Sequence, residues 1–475
     1  MLTRIGKLEF ISFTTGFALL TFELAAARVL APSIGSSTYV WTSVIGVIIA
    51  ALAAGFWIGG KLADKRNQVG DLALLLGIAS LTTILTLVAY LGVLDVVSQL
   101  AVDVRMQAVI AALVLFAPTS FSIGMTSPYI AKLNVRSLET TGRKIASIDA
   151  FNSLGGIFGT FLTGFVLFGY VGSRQTFFVV ALLLLAASWL IAPRYRRRER
   201  SVLSGVILIV GLTAFSPMTH AVTIDTPSAH YEIKNYTYSD GSGIRGLTTG
   251  PGGIQSAVRL DGSSQPVFWY TQVMAALAIE REPERILILG GGAFTLPQFL
   301  AERLPDSQID VVEIDPILET ISAKYFHYRY PENVRLVFSD ARTFVSHAAD
   351  RYDLVLVDVY GDASIPFSLM TKEYGEAVSR LVADEGALVA NIIAGEVGPC
   401  REVLAALHAA YNPNFSHAYY ANESSVPEQR ANYLVMYTRH AEEIQSLSPL
   451  HLEPGSVYDD NLMPAERLHY ACQGQ

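Results

Sequence analysis

Before Val222 the chain repeats uninterrupted apolar runs of about 20 residues, and this limits its fold more than any other feature. A helix of that length crosses a hydrocarbon core about 30 Å thick. In lipid each backbone polar group must be satisfied within its own segment, so the runs read as helices. Seven candidates fall near Leu8–Leu30, Tyr39–Gly60, Leu72–Val96, Met106–Ile130, Ile145–Val171, Gln175–Ala192 and Val202–Ala221. The first is too long, and followed by too many others, to be a cleaved leader. Composition agrees: 51% of the 475 residues are hydrophobic and 16% charged, too apolar for a wholly soluble protein.

Arg4, Lys7, Lys61, Lys65, Arg66, Lys132, Arg136, Arg143, Lys144 and the basic stretch from Arg194 to Arg200 fall in alternate connections. The opposite connections carry little beyond Arg105 and Arg174, so the positive-inside rule puts the N-terminus in the cytoplasm. The expected location is the cell membrane, crossed many times. If Val202–Ala221 spans, the rest of the chain leaves the cytoplasm; if it lies in the interface or re-enters, the rest stays inside. Both placements remain open from sequence. Glu23, Arg28, Asp149 and Asn152 sit within or at the ends of spans, where they line a polar path or pair between helices. The small residues of Ala50–Gly55 and Gly155–Gly159 suit close helix packing.

The formal net charge of -8 conceals an asymmetry, because acidic residues outnumber basic ones after Thr223 and the reverse holds before it. Cys400 and Cys472 are far apart and lack metal-ligand spacing, which suggests neither a disulfide framework nor a zinc site. From Val222 the pattern changes to short alternating stretches broken by Ser239–Gly243 and Gly250–Gly253, a small β-subdomain. After a helical run from Val267 to Glu280, strands alternate with helices: Ile286–Leu289, Asp310–Glu313, Arg335–Phe338, Leu354–Val357 and Ala387–Asn391. That alternation predicts a doubly wound, Rossmann-like α/β domain with a parallel sheet covered on both faces. The expected divisions are a transmembrane helical domain at 1–221, the β-subdomain at 222–265 and a nucleoside-binding catalytic domain at 266–475.

The sharpest local signal is the strand Ile286–Leu289 running into Gly290, Gly291 and Gly292 and then into a helix. Without Cβ atoms this backbone can pass close to a ligand. The next strand ends in Glu313, about 20 residues on, where doubly wound folds bind ribose hydroxyls. Together they indicate an adenosine-type ligand. The third glycine of a dinucleotide fingerprint is replaced by Thr295, which counts against nicotinamide and flavin. Two further strands end in acids, at Asp340 and at Asp358 with Asp362. Such acids face the ligand crevice, although each can instead cap the following helix.

From about Tyr231 to Ile393 these features resemble the polyamine aminopropyltransferases (spermidine synthases). The similarity extends through Pro366–Tyr374 and Gly386–Asn391. Membrane-embedded members have an N-terminal bundle, and the first two spans, with Glu23, Arg28 and Gly59–Asp64, resemble theirs. The resemblance implies transfer of an aminopropyl group from decarboxylated S-adenosylmethionine to a polyamine or other amine, with no permanently bound cofactor and no metal. It assigns donor binding to Gly290, Gly291, Gly292, Glu313, Asp340, Ala341 and Gln255, catalysis to Asp358, and acceptor binding to Tyr270, Tyr360 and Asp362. Expected partners are a small-molecule amine and the lipid bilayer, with a homodimer as an option and no nucleic acid.

Three departures qualify that assignment. Ala293 stands where the family carries an Asp that grips the donor's amine. Tyr270-Thr271-Gln272 replaces Tyr-His-Glu, and Asp358 and Asp362 are four apart instead of three. Another S-adenosylmethionine-dependent activity, methyl transfer or sulfonium cleavage, is therefore the alternative. A transporter or sensor of polyamine or nucleoside is a third reading. His417, Tyr419 and His469 have no motif context and read as packing or surface residues.

Overall fold

The computed structural model describes residues 4–473 apart from 36, 101, 136–139, 194–196, 214–221, 227, 238–240, 362–364, 425–429 and 454. The chain divides into two compact units, Met1–His230 and Tyr231–Gln475.

The first unit contains α1 (Arg4–Ile34), α2 (Thr38–Lys65), α3 (Val69–Ser98), α4 (Val104–Leu115), α5 (Ala117–Asn134), α6 (Thr141–Leu162), α7 (Phe168–Tyr170), α8 (Ser173–Ile191), α9 (Arg197–Thr213) and the strand β1 (Val222–Asp225). Among the described residues, five helices are long and apolar enough to cross a membrane: Gly6–Ile34, Thr38–Lys65, Val69–Ser98, Thr141–Tyr170 and Ser173–Ile191. The expected span Met106–Ile130 is instead a broken pair, α4 and α5, bent by 53°, and counting it as one gives six. Pro118 explains the break, since it lies in the first turn of α5 and has no N–H to continue the α4 ladder. The seventh expected span corresponds to α9, and residues 214–221 lie outside the described residues.

Glycines set the closest helix crossings. A Cβ on Gly16 would stand 2.0 Å from the Asn152 carbonyl oxygen, and one on Gly155 would stand 1.9 Å from that of Phe13. At the α2–α5 crossing a Cβ on Gly55 would meet the Phe121 carbonyl at 2.3 Å. Backbone-to-backbone approach of this kind drives helix association where apolar surface gains nothing by leaving lipid. Asn152 donates to the Ser12 carbonyl at 3.1 Å, and Arg28 donates to the Thr226 carbonyl while lying 4.8 Å over the Phe168 ring. Asn152 therefore pairs between helices and Arg28 with the chain just after β1, whereas Asp149 is exposed.

The second unit opens with an antiparallel meander of β2 (His230–Thr237), β3 (Gly243–Thr248) and β4 (Ser256–Arg259). Next come α10 (Trp269–Arg281), β5 (Arg285–Leu289), α11 (Thr295–Arg303), β6 (Gln308–Glu313), α12 (Ile317–Tyr325), β7 (Val334–Phe338), α13 (Ala341–His347), β8 (Tyr352–Val357), α14 (Lys372–Leu381) and β9 (Val382–Ala394). The chain continues through α15 (Gly398–Tyr411), β10 (His417–Asn422), β11 (Ala431–Thr438), β12 (Ser448–Pro449) and α16 (Ala465–Gln473).

The main sheet has eight strands in the order β12-β10-β11-β9-β8-β5-β6-β7. Strands β5 to β9 are parallel, as expected, and Leu287, Val311, Val355 and Val389 at the centres of β5, β6, β8 and β9 are fully buried. Beyond the five expected strands the sheet continues with β11, which runs antiparallel to β9, and with β10 and β12, which continue antiparallel beyond it. The expected absence of a disulfide is corrected. Cys400 of α15 and Cys472 of α16 lie 4.5 Å apart at Cα and are bonded across a sequence separation of 72, too long for spacing to reveal.

Candidate active site

Strand β5 delivers the glycine loop to the C-terminal edge of the sheet. Gly290 has φ of 95°, and a Cβ there would lie 2.1 Å from the Asp358 carbonyl oxygen, so only glycine fits both the dihedral and the contact. The N–H groups of Gly291 and Gly292 donate to Glu313 Oε2 at 2.9 and 3.1 Å. Those of Ile314 and Asp315 donate to Oε1 at 2.7 and 3.1 Å. Four donors match the roughly four lone-pair sites of a carboxylate. Burial pushes the Glu313 carboxyl above the usual range, and the four N–H groups pull against that rise. Because the loop's amides face a carboxylate, they do not form a pyrophosphate cradle. This agrees with Thr295 in place of the third glycine.

The loop is braced from the meander. Ala293 N–H donates to Ser256 Oγ of β4 at 3.0 Å, and a Cβ on Gly292 would stand 2.4 Å from that oxygen. Ser256 was not singled out from the sequence, where nothing local marks it. Gln255 beside it bonds within its own hairpin, its amide donating to Thr249 Oγ1 at 2.6 Å. Asp340 accepts the Thr343 N–H at 2.8 Å, the N-cap of α13, and Ala341 is buried in that helix's first turn. The capping role weighed for Asp340 is thus occupied by its Oδ1.

Asp358 follows β8, its N–H bonded to the Leu289 carbonyl at 2.9 Å. Its Oδ1 accepts from Asn391 Nδ2 of β9 at 2.9 Å, and the Tyr270 hydroxyl of α10 donates to the same carboxylate. Burial raises the Asp358 carboxyl, opposed by the hydrogen bonds from Asn391 and Tyr270. The Tyr270 ring is buried and stacks on Phe268 with centroids 5.9 Å apart. Tyr360 accepts the Ile393 N–H at 2.6 Å, and its phenol is raised by burial. Asp362 lies outside the described residues. Two groupings result: the glycines with Glu313, and Asp358 with Tyr270 and Asn391, joined where the Asp358 backbone packs on Gly290. Asn391 is the residue that sequence reasoning missed as a site member, since it stood there only as the end of a strand.

Residues 267–443 match the Spermine/spermidine synthase domain family. That match falls within the second unit. Over 121 residues the chain is 39% identical to a polyamine aminopropyltransferase of Vibrio vulnificus, covering 25% of this chain and 40% of that protein. It is also 31% identical over 166 residues to putrescine N-methyltransferase 2 of Nicotiana attenuata, covering 30% of this chain and 44% of the relative. The chain thus spans less than half the length of these two curated relatives. A crystal structure of spermidine synthase from Thermotoga maritima aligns at 14% identity with a TM-score of 0.35, over 53% of this chain and 82% of that one. Within the synthase domain the glycine loop, Glu313, Asp340 and Asp358 all lie at the C-terminal ends of parallel strands. Open α/β sheets bind ligands at that edge.

Proposed function

We propose that this protein is a membrane-bound aminopropyltransferase that uses decarboxylated S-adenosylmethionine as donor and an amine as acceptor. The observation carrying the proposal is the half-buried Asp358 carboxylate, oriented by Asn391 and Tyr270 and packed through its own backbone against Gly290. The reaction needs such a group. An alkyl amine with a reference pKa near 10.4 is protonated at neutral pH and cannot attack until it loses that proton. Asp358 orients the ammonium and accepts the proton. The freed lone pair bonds to the aminopropyl carbon beside sulfur, the carbon–sulfur bond breaks toward sulfur, and neutral methylthioadenosine leaves. Glu313 receives the ribose hydroxyls by exchange with loop amides, and Asp340 and Ala341 meet the adenine. Gln255 approaches the donor from the meander, while Tyr360 and Asp362 flank the acceptor.

A second reading, methyl transfer from intact S-adenosylmethionine, is favoured by Ala293. It offers no carboxylate to the donor's amine, and its N–H is bonded to Ser256. The likeness to a putrescine N-methyltransferase supports the same reading. Purified protein incubated separately with each donor and an amine distinguishes them by product, methylthioadenosine for aminopropyl transfer and S-adenosylhomocysteine for methyl transfer. In either case Asp358→Asn lowers turnover by about 100-fold or more while leaving nucleoside binding intact, the usual contribution of a positioned base. Near-normal turnover in that variant refutes the assignment.

A further inference from the structure

Arg430 stands immediately before β11, whose first residue, Ala431, pairs with Ala394 at the end of β9. Because β11 runs antiparallel to β9, Arg430 lies at the same C-terminal edge as Asp358. The strand order β11-β9-β8-β5-β6 puts Asp358 between Arg430 on one side and the glycine loop with Glu313 on the other. At about 4.8 Å per strand, Arg430 is about 10 Å from the Asp358 strand, on the side away from the nucleoside cradle.

The Nε and Nη2 atoms of Arg430 are buried and have no hydrogen-bond partner. A guanidinium always carries its charge, and leaving a desolvated one without an anion is strongly unfavourable. Among the described residues two groups are close enough to interact with it electrostatically. One is Tyr360, which also interacts with Asp358. The other is His469 of α16, 2% exposed, with both ring nitrogens unpartnered. Burial, aided by Arg430, pushes His469 down to about 4, so it is neutral at physiological pH and cannot repel an incoming cation or hold an anion by charge. Among the described residues, two carboxylates on this side are already engaged: Glu423 accepts from Asn432 at 3.0 Å and Glu396 from Asn422 at 3.1 Å. Among the described residues the acceptor side therefore presents, beyond the catalytic carboxylate, a guanidinium with no anion bonded to its Nε and Nη2, a poor match for the positive far end of a bare diamine.

We propose that Arg430 binds a carboxylate on the acceptor, and that the acceptor is an amino acid bearing a second amine rather than a simple diamine. This rests on the aminopropyltransferase reading above. The side-chain amine would meet Asp358 and lose its proton there, while the carboxylate forms charge-assisted bonds to the two free guanidinium donors. A carboxylate on the donor is the other source of the same chemistry, and the test separates the two.

Full-length protein is assayed with acceptors that differ by one carboxylate, putrescine against ornithine and cadaverine against lysine, using each donor form. The wild type is expected to favour the diamino acids by at least about 10-fold in kcat/KM. Arg430→Gln should raise KM for the diamino acids by about 10- to 100-fold, leave kcat within a few-fold and bring the two classes level. Arg430→Lys should recover part of the preference. A merely structural Arg430 predicts a lower Tm in Arg430→Gln, whereas removing an unpaired buried cation leaves Tm unchanged or raised. A diamine preference that Arg430→Gln does not alter overturns the proposal. So does a changed ratio between the two donor forms with a constant acceptor ratio, which would give the carboxylate to the donor. If no amine is turned over, the aminopropyltransferase reading fails by itself. Calorimetric titration of ornithine and putrescine in the presence of methylthioadenosine then reads the Arg430 site directly, with equal binding of both, unaffected by Arg430→Gln, overturning it.

Discussion

Glu313→Gln is the sharpest perturbation of the nucleoside cradle because it changes one atom's hydrogen-bonding sense and almost nothing else. The carboxylate accepts four backbone N–H groups, two per oxygen. An amide keeps one accepting oxygen and turns the other position into a donor, so two of the four N–H groups lose their acceptor whichever way the amide faces. Each stranded buried donor costs about 1–2 kcal/mol, giving about 2–4 kcal/mol for the pair. For a unit of this size that corresponds to a fall in Tm of roughly 5–15 °C. The assay is thermal unfolding of detergent-solubilised protein, followed in parallel by methylthioadenosine titration. The affinity loss should be about 1–3 kcal/mol, since ribose hydroxyls also lose a charged acceptor. A Tm within 1 °C of wild type would show that the loop does not rest on Glu313. Unchanged nucleoside affinity would remove Glu313 from the ribose site.

Turnover should fall as pH drops through a raised Asp358 pKa, so the acid limb of kcat lies above the ordinary carboxylate range, and Asn391→Ala should move it higher by removing a bond that favours the ionised form. An unmoved limb in Asn391→Ala would show that Asp358 is not the titrating base. The sign for stability is opposite: a carboxyl whose folded pKa is raised contributes below its unfolded value and loses that contribution as pH rises. A periplasm-active reporter fused after Gln475 should give signal, with a cytoplasm-active one silent, if α9 completes a seventh crossing. The reverse result gives an even number of crossings and predicts that Cys400 and Cys472 are reactive thiols after denaturation.

Much of the fold was legible because its signals are local. Apolar runs of spanning length gave the helices of the first unit, and strand–turn–helix alternation located β5 to β9. The break between α4 and α5 could have been read from Pro118, but hydropathy alone does not register a missing N–H. The three antiparallel strands at one end of the sheet were missed because β10 and β11 lie where the sequence offers no motif. Their place is decided by pairing with β9, a tertiary choice. The same holds within the site. Gly290, Glu313 and Asp358 announce themselves as strand-end residues, whereas Asn391 and Ser256 matter through partners 33 and 37 residues away.

The bridge between Cys400 and Cys472 links this sequence-silent region to the chemistry. Closing a loop of separation 72 removes about 4 kcal/mol of unfolded-state entropy, comparable to a large share of a domain's net stability. What it fastens is α16, through Cys472, onto α15, whose Cys400 is itself buried among the helices covering the sheet. Three residues before Cys472 on that helix is His469, the buried imidazole beside Arg430. An exposed C-terminal helix would ordinarily fray, and a buried arginine without an anion favours expulsion of its surroundings into water. Fixing α16 covalently opposes both tendencies and holds His469 against the buried Nε and Nη2 of Arg430. Disulfides persist in oxidising compartments, so a bridge found intact between Cys400 and Cys472 in cells would place this domain outside a reducing one, which the reporter fusions test independently.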